Sequence, residues 1–157
     1  MIQSFERQLI ENWLRASELR FLMDRDGDFV LGFYSDHGPD YRVQLSAEGP
    51  EADVLCIRIH PDVVYPEASR ERIDAFVAGW NRKTRWPKAF VVNDSRGRGI
   101  RVVGENSFPL GPGIHQALLD TFIITTIDSG QQMVAELDAT ANAVVSAHLE
   151  TWLHSTE

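Results

Sequence analysis

Four short apolar runs in the first 60 positions of this chain constrain its fold more than any other feature. The runs are LRFLM (19–23), FVLGF (29–33), YRVQLSA (41–47) and VLCIRIH (54–60). The first three alternate apolar and polar residues, which is typical of strands that bury one face. Asp26-Gly27 separates the first two runs and favours a hairpin turn, because glycine accepts a positive φ. The pattern predicts four consecutive antiparallel strands, the fourth central and with its second face covered by a helix.

Apolar residues at helical spacing precede and follow these strands. Residues 2–17 form an amphipathic pattern, and a second helix is predicted to begin at Pro66. The apolar stripe of the second helix is Ile73, Phe76, Val77 and Trp80. A hairpin follows, with KAFVVND (88–94) and GIRVVGE (99–105) as its strands.

The C-terminal third is predicted to be helical as well. Pro112 suits the first turn of a helix whose apolar residues recur as far as Leu137. The segment TFIITTI (121–127) is rich enough in β-branched residues to read locally as a strand. Thr140 is predicted to cap an extra amphipathic helix that ends near Trp152.

Composition is consistent with one domain spanning residues 1–157, in which 138–157 form a candidate helical extension. The chain is 43% hydrophobic, enough for a core at this length. The amphipathic N-terminus carries acids and predicts neither a secretory signal nor a transit peptide. No apolar run approaches the ~20 residues of a membrane helix, so we expect no membrane association. The lone cysteine, Cys56, fits the reducing cytoplasm.

Motifs that would indicate catalysis or cofactor binding are missing from the sequence. No glycine-rich phosphate loop and no GxSxG elbow occurs, and the five histidines are scattered. The acids of DRDGD (24–28) do not have the spacing of a calcium loop, and one cysteine cannot form a zinc cluster. We therefore predict no enzyme, no catalytic residue, no cofactor and no metal.

The stretch GWNRKTRWPKAFVV (79–92) is the least ordinary part of the chain. Trp80 completes the apolar stripe, basic residues favour a helix C-terminus, and Pro87 ends the helix by restricting the residue before it. Asn81 and Trp86 remain to be explained. The structural interpretation has Asn81 bonding backbone groups of the following turn and Trp86 covering the sheet edge. The functional interpretation makes both part of a partner surface.

Basic residues concentrate in one part of an acidic chain. Residues 82–101 hold seven Lys and Arg against one acid, Asp94, although the net charge is −8. A small-ligand or nucleic-acid site built from the turn 96–101 with Trp86 and Arg82 is therefore an alternative, since aromatic and arginine side chains can stack on bases. The overall negative charge argues against nucleic acid and favours ion pairing within the fold.

Several blocks of the sequence together resemble the YbjN family of bacterial domains. They are LRFLMDRDGDFVLGF (19–33), WNRKTRWPKAFVV (80–92), GRGIRVVGE (97–105) and PLGPGI (109–114). The resemblance spans residues 5 to about 138. It implies a fold related to type III secretion chaperones, dimerisation and a role in binding another protein, and it supplies no catalytic residues. The family's label, sensory transduction regulator, describes no mechanism.

We therefore predict an α+β fold of order α-ββββ-α-ββ-α, with an extra C-terminal helix. Helices pack on a curved antiparallel sheet of five to six strands, in a type III secretion chaperone-like arrangement. The predicted function is a non-enzymatic cytoplasmic protein-binding domain, chaperone-like or regulatory, that forms a homodimer. The candidate partner-surface residues are Asn81, Arg82, Trp86, Arg98 and Trp152.

Overall fold

Three helices and six strands make up the fold. The structure, a computed structural model, describes the backbone of residues 1–154 and the side chains of residues 1–141. The elements in chain order are α1 (Arg7–Ala16), β1 (Leu22–Met23), β2 (Phe29–Phe33), β3 (Tyr41–Glu48), β4 (Val54–Pro61), a 3-10 turn (Glu67–Ser69), α2 (Arg70–Lys83), β5 (Lys88–Asn93), β6 (Ile100–Pro109) and α3 (Gln116–His154). Of these described helices, none is both long and apolar enough to cross a bilayer.

The six strands form one antiparallel sheet in the order β1-β2-β3-β4-β6-β5. The predicted α+β fold is therefore confirmed. The hairpin between β1 and β2 turns at Gly27, whose φ is +83°, and the carboxylate of Asp24 accepts the backbone N–H groups of Asp26 and Asp28 at 2.9 Å each. The first strand is shorter than the alternation predicted, because only Leu22 and Met23 pair with β2.

All three helices pack on the same face of this sheet. The guanidinium of Arg7 on α1 lies 4.5 Å from the ring centroid of Phe29 on β2. On α3, Gly130 approaches Ile59 so closely that a Cβ there would lie 2.6 Å from a side-chain carbon. The core between helices and sheet includes Leu9, Ile10, Trp13, Leu14, Leu31, Val43, Leu45, Leu55, Ile57, Ile73, Trp80, Val102, Met133 and Leu137.

The opposite face of the sheet is polar along its centre. Arg58 on β4 reaches Glu48 on β3 at 2.5 Å and Glu105 on β6 at 2.7 Å. These bonds raise the pKa of the guanidinium and lower that of Glu48. The central position of β4 is confirmed, but the prediction of a helix on its second face is wrong. Paired charged side chains cover that face instead, so only the other face of the strand packs against helices.

The helical part of the C-terminal third is one continuous helix over residues 116–154, which corrects two predictions. Thr140 does not cap a separate helix: its Oγ1 donates 2.9 Å to the carbonyl of Glu136 within α3. Threonine can make this bond inside a helix as readily as it caps one. Pro112 lies in a turn before the helix, which begins at Gln116 because Gly113 adopts a φ of +100° and Ile114 pairs with Gln3. The segment 121–127 is helical, so its β-branched residues do not decide its conformation.

Candidate partner-binding surface around Trp86

The chain leaves α2 through a connection that Trp80 anchors. Both the N–H and the Oγ1 of Thr84 donate to the carbonyl of Trp80, at 2.9 and 2.8 Å, which ends the helix. The Trp80 ring is buried, and its Nε1 donates 2.8 Å to the carbonyl of Pro87. The peptide bond between Trp86 and Pro87 is cis. These contacts fix the route from helix to strand and leave the intervening Trp86 at the surface.

Asn81 bonds to the edge strand β5. Its Nδ2 donates 2.9 Å to the carbonyl of Ala89, and its Oδ1 accepts the N–H of Ala89 at 2.8 Å. The side chain thus satisfies both outward-facing backbone groups of one edge residue, as a further strand would. The sequence predicted that Asn81 would bond to the turn that follows α2, whereas it bonds to the strand after that turn. Because an occupied edge cannot pair with another chain, Asn81 protects this point of β5.

Trp86 forms one wall of an apolar cavity open to the surface. The residue is 45% exposed. The cavity, of about 140 Å³, is lined by Trp86, Asn106, Phe108, Thr121, Phe122 and Thr125 and is called the Trp86 cavity below. Phe108 on β6 and Phe122 on α3 stack with ring centroids 3.9 Å apart and form its apolar floor. Trp86 therefore lies beside the end of β6, next to the first half of α3.

The segment that contains Trp86 carries three cations that form no ion pair among the described side chains. Arg82, Arg85 and Lys88 are exposed, and none forms an ion pair with a carboxylate among the side chains of residues 1–141. Lys83 differs, because it pairs with Glu136 on α3 and lies 5.6 Å from the centre of the Trp80 ring. Positive charge is thus concentrated along the sequence near Trp86, in a chain whose net charge is −8.

The basic turn between β5 and β6 is partly neutralised by one buried carboxylate. Arg98 and Arg101 donate to the two carboxylate oxygens of Asp94 at 2.9 and 2.7 Å, and the Asp94 side chain is fully buried. The bonds from Arg98, then Arg101, hold the pKa of Asp94 well below its usual range. A strand of six residues, roughly 20 Å long, separates this turn from Trp86.

The predicted surface residues therefore do not form one site. Arg82 is exposed in the last turn of α2, Trp86 lines the cavity, Asn81 is engaged with β5, and Arg98 lies at the other end of the hairpin. Trp152 lies outside the residues whose side chains are described. Sequence reasoning missed Phe108 and assigned Phe122 only to a core stripe. The one available signal was an aromatic residue directly before Pro109, beyond the predicted hairpin.

The buried Cys56 and the partly buried His60 have pKa values that favour their neutral forms at neutral pH. Burial raises the pKa of the Cys56 thiol to about 11, so the reactive thiolate is suppressed. Burial, followed by the charges of Arg42 and Arg58, lowers the pKa of His60 to about 4. Nε2 of His60 lies 3.1 Å from Oε1 of Gln44. Both residues act as neutral parts of the sheet.

Comparison with known proteins finds a similar fold and a matching family. The structure is similar to the crystal structure of YbjN from E. coli, described as "a putative transcription regulator", with a TM-score of 0.69 and 13% sequence identity over 91% of this chain and 95% of that chain. This similarity concerns the fold. A comparison with curated proteins gives no match. The family model named YbjN, "Putative bacterial sensory transduction regulator", matches residues 6–139. Since that match covers most of the sequence, the chain belongs to the YbjN family.

Proposed function

We propose that this chain is a non-enzymatic regulatory domain that acts in the cytoplasm by binding another protein through the surface around Trp86. The observation that carries the proposal is the half-exposed indole of Trp86 on the wall of an open apolar cavity. Tryptophan is enriched at the centres of protein interfaces, where it combines a large contact area with few rotatable bonds. The family's description as a regulator agrees with this role.

The size of the cavity favours a protein partner over a small ligand. Pockets for small molecules usually measure about 300–1,000 Å³, whereas the Trp86 cavity measures about 140 Å³. That space suits a single apolar side chain. Two of the three arginines in the basic turn, which a nucleic-acid site would use, are bound to Asp94.

The test compares two exposed aromatic residues. Trp86→Ala removes the wall of the cavity, and Tyr34→Ala removes a side chain that is 92% exposed and follows β2 near the other edge of the sheet. We expect crosslinking capture from the native host, quantified by mass spectrometry, to lose a specific protein with Trp86→Ala and to retain it with Tyr34→Ala. Retention of the same protein by both variants would refute a partner surface at Trp86.

The proposal includes a homodimer formed through the C-terminal part of α3. This helix has 39 residues and measures roughly 58 Å, whereas the longest strand has ten residues and measures roughly 33 Å. The last described core residue on α3 is Ala141, and the sequence beyond it continues with Val144, Val145, Leu149 and Trp152 at helical spacing. A second copy would bury these residues.

Light scattering coupled to gel filtration tests the dimer. The wild type should have twice the mass of one chain, and the double variant Leu149→Glu/Trp152→Glu should have the mass of one. A wild type that remains monomeric at high concentration would refute self-association.

A further inference from the structure

The last residues of β6 extend beyond the strand that pairs with it. Lys88 of β5 lies opposite Glu105, and no residue of β5 pairs further along. β6 continues to Pro109 and pairs with β4 on its other side. Within the described residues, the stretch Asn106–Pro109 therefore has a strand neighbour on one side only.

The direction of each backbone group along this stretch follows from the bonds observed at Ala89, Ile100 and Leu110. The N–H and C=O of Ala89 bond to Asn81, so Gly104 opposite Ala89 must bond towards β4. Ile100 exchanges both its bonds with Tyr65, and the N–H of Leu110 bonds to Asp53, on that same side. Even-numbered residues of β6 therefore face β4, and odd-numbered residues face away from it.

Ser107 consequently points its N–H and C=O towards the vacant side. The residue is exposed. No backbone group of the segment that contains Trp86 bonds to it. The C=O of Pro109 has the same orientation by the same alternation. This short edge offers one donor and two acceptors in the positions that an added strand would use.

The Trp86 cavity adjoins this edge, because Asn106 and Phe108 line it. A vacant edge beside a side-chain pocket is the arrangement that recognises an extended peptide by strand addition: the main chain supplies bonds and the pocket selects a side chain. Strand addition further along β5 is obstructed at Ala89, where Asn81 holds both backbone groups.

Charge indicates the chemistry of the peptide. Arg85 directly precedes Trp86, Lys88 follows two residues later, and both are exposed without an ion pair among the described side chains. Carboxylates on the added segment would pair with these cations, whereas a basic segment would be repelled.

We propose that the edge Asn106–Pro109 binds an extended acidic segment of a partner protein as a short added strand, with one apolar side chain in the Trp86 cavity. This inference rests on the proposed protein-binding function and names the form of its partner. Ser107 supplies the central pair of main-chain bonds.

The test uses random 12-residue peptides displayed on phage and selected on the immobilised full-length chain. We expect the selected peptides to contain several Asp or Glu residues around one large apolar residue. Their binding should weaken as salt increases. It should also weaken with Trp86→Ala, and selection on Arg85→Glu/Lys88→Glu should no longer enrich acids.

Two variants at one position separate strand addition from a simple apolar contact. Ser107→Pro removes the N–H, which an edge strand tolerates on its open side, and should weaken peptide binding by roughly tenfold or more. Ser107→Ala keeps the N–H and should bind as the wild type does. Should Ser107→Pro fail to fold, hydrogen exchange of the wild type decides the matter: the Ser107 amide must become protected when a selected peptide is added.

The outcomes distinguish the two proposals. Peptides that depend on Trp86 but leave the Ser107 amide unprotected would overturn strand addition and support the partner surface. Peptides without acid enrichment would overturn the charge assignment. Failure to select any peptide would overturn strand addition, and the capture experiment on Trp86→Ala would then decide the proposed function independently.

Discussion

Two glycines in helices of this protein should respond oppositely to the same substitution. Gly130 in α3 packs against Ile59 of β4, and an added Cβ would lie 2.6 Å from Cγ1 and 2.7 Å from Cδ1 of that side chain. Gly79 in α2 has no atom within 4 Å of the corresponding position. Both sites gain helix propensity with alanine, and only one becomes overpacked.

The expected free energies follow from these distances. Replacing a helical glycine by alanine stabilises by about 0.8–1.0 kcal/mol, so Gly79→Ala should stabilise the protein by about that amount. At Gly130 the contact is about 0.8 Å shorter than the 3.4 Å of an ordinary contact. Overpacking of a core costs about 1–3 kcal/mol. Gly130→Ala should therefore destabilise the protein by about 0–2 kcal/mol net.

Urea unfolding of the two variants, monitored by circular dichroism, checks the prediction. In an Ile59→Ala background the three close side-chain atoms are gone, and Gly130→Ala should then stabilise by about 1 kcal/mol. If Gly130→Ala stabilises the wild type as much as Gly79→Ala does, α3 does not approach β4 as described, and Phe122 would not lie at the floor of the Trp86 cavity.

Three further predictions concern single side chains. Asn81→Ala removes two bonds to Ala89 and should cost about 1–3 kcal/mol in urea unfolding, whereas Asn81→Asp keeps the acceptor and should cost less; equal stability of all three proteins would contradict the edge contact. Trp86→Ala should cost no more than about 1.5 kcal/mol, because half of the side chain is already exposed, while Trp80→Ala should cost about 3–5 kcal/mol; equal costs in thermal unfolding would show that Trp86 is a core residue. The pKa of His60 is lowered from 6.5 to about 4, so the folded state binds its proton less readily than the unfolded state. The stability that neutral His60 contributes is complete above pH 6.5 and is lost as the pH falls towards 4, by at most about 3 kcal/mol. His60→Gln should remove that part of the pH dependence of the free energy of unfolding. An unchanged slope of that free energy between pH 7 and pH 4.5 would contradict the assignment.

The strands and helices could be predicted from local patterns because each pattern reflects the burial of a single face of the element. Phe29 and Leu31 alternate with partly exposed residues, and Ile73 and Trp80 recur at helical spacing, so burial alone determines both periods. Thr140 was misassigned because a hydroxyl that bonds to a backbone group has the same sequence signature within a helix and at its start. The two positions differ only in whether the residues before them are already helical.

The candidate site depended on relations that no local pattern contains. Trp86 was identified from composition, but Phe108 and Phe122 meet only through the pairing of strand and helix across the sheet. The vacant edge at Ser107 arises because β5 and β6 differ in length by four residues, which alternation cannot predict. The ion pairing of Asp94 could be predicted, since it is the one acid among seven basic residues.

The order of elements along the chain also governs how the protein is made. The apolar face of β2, β3 and β4 is complete when Pro61 has been synthesised, whereas the core residues of α3 continue to Ala141, 80 residues later. At roughly 5–20 residues per second, translation leaves that face without its final helix for roughly 4–16 s. The ribosome therefore holds an incomplete core while these 80 residues are made, and factors that bind nascent chains would meet this protein at the sheet face that α3 later covers.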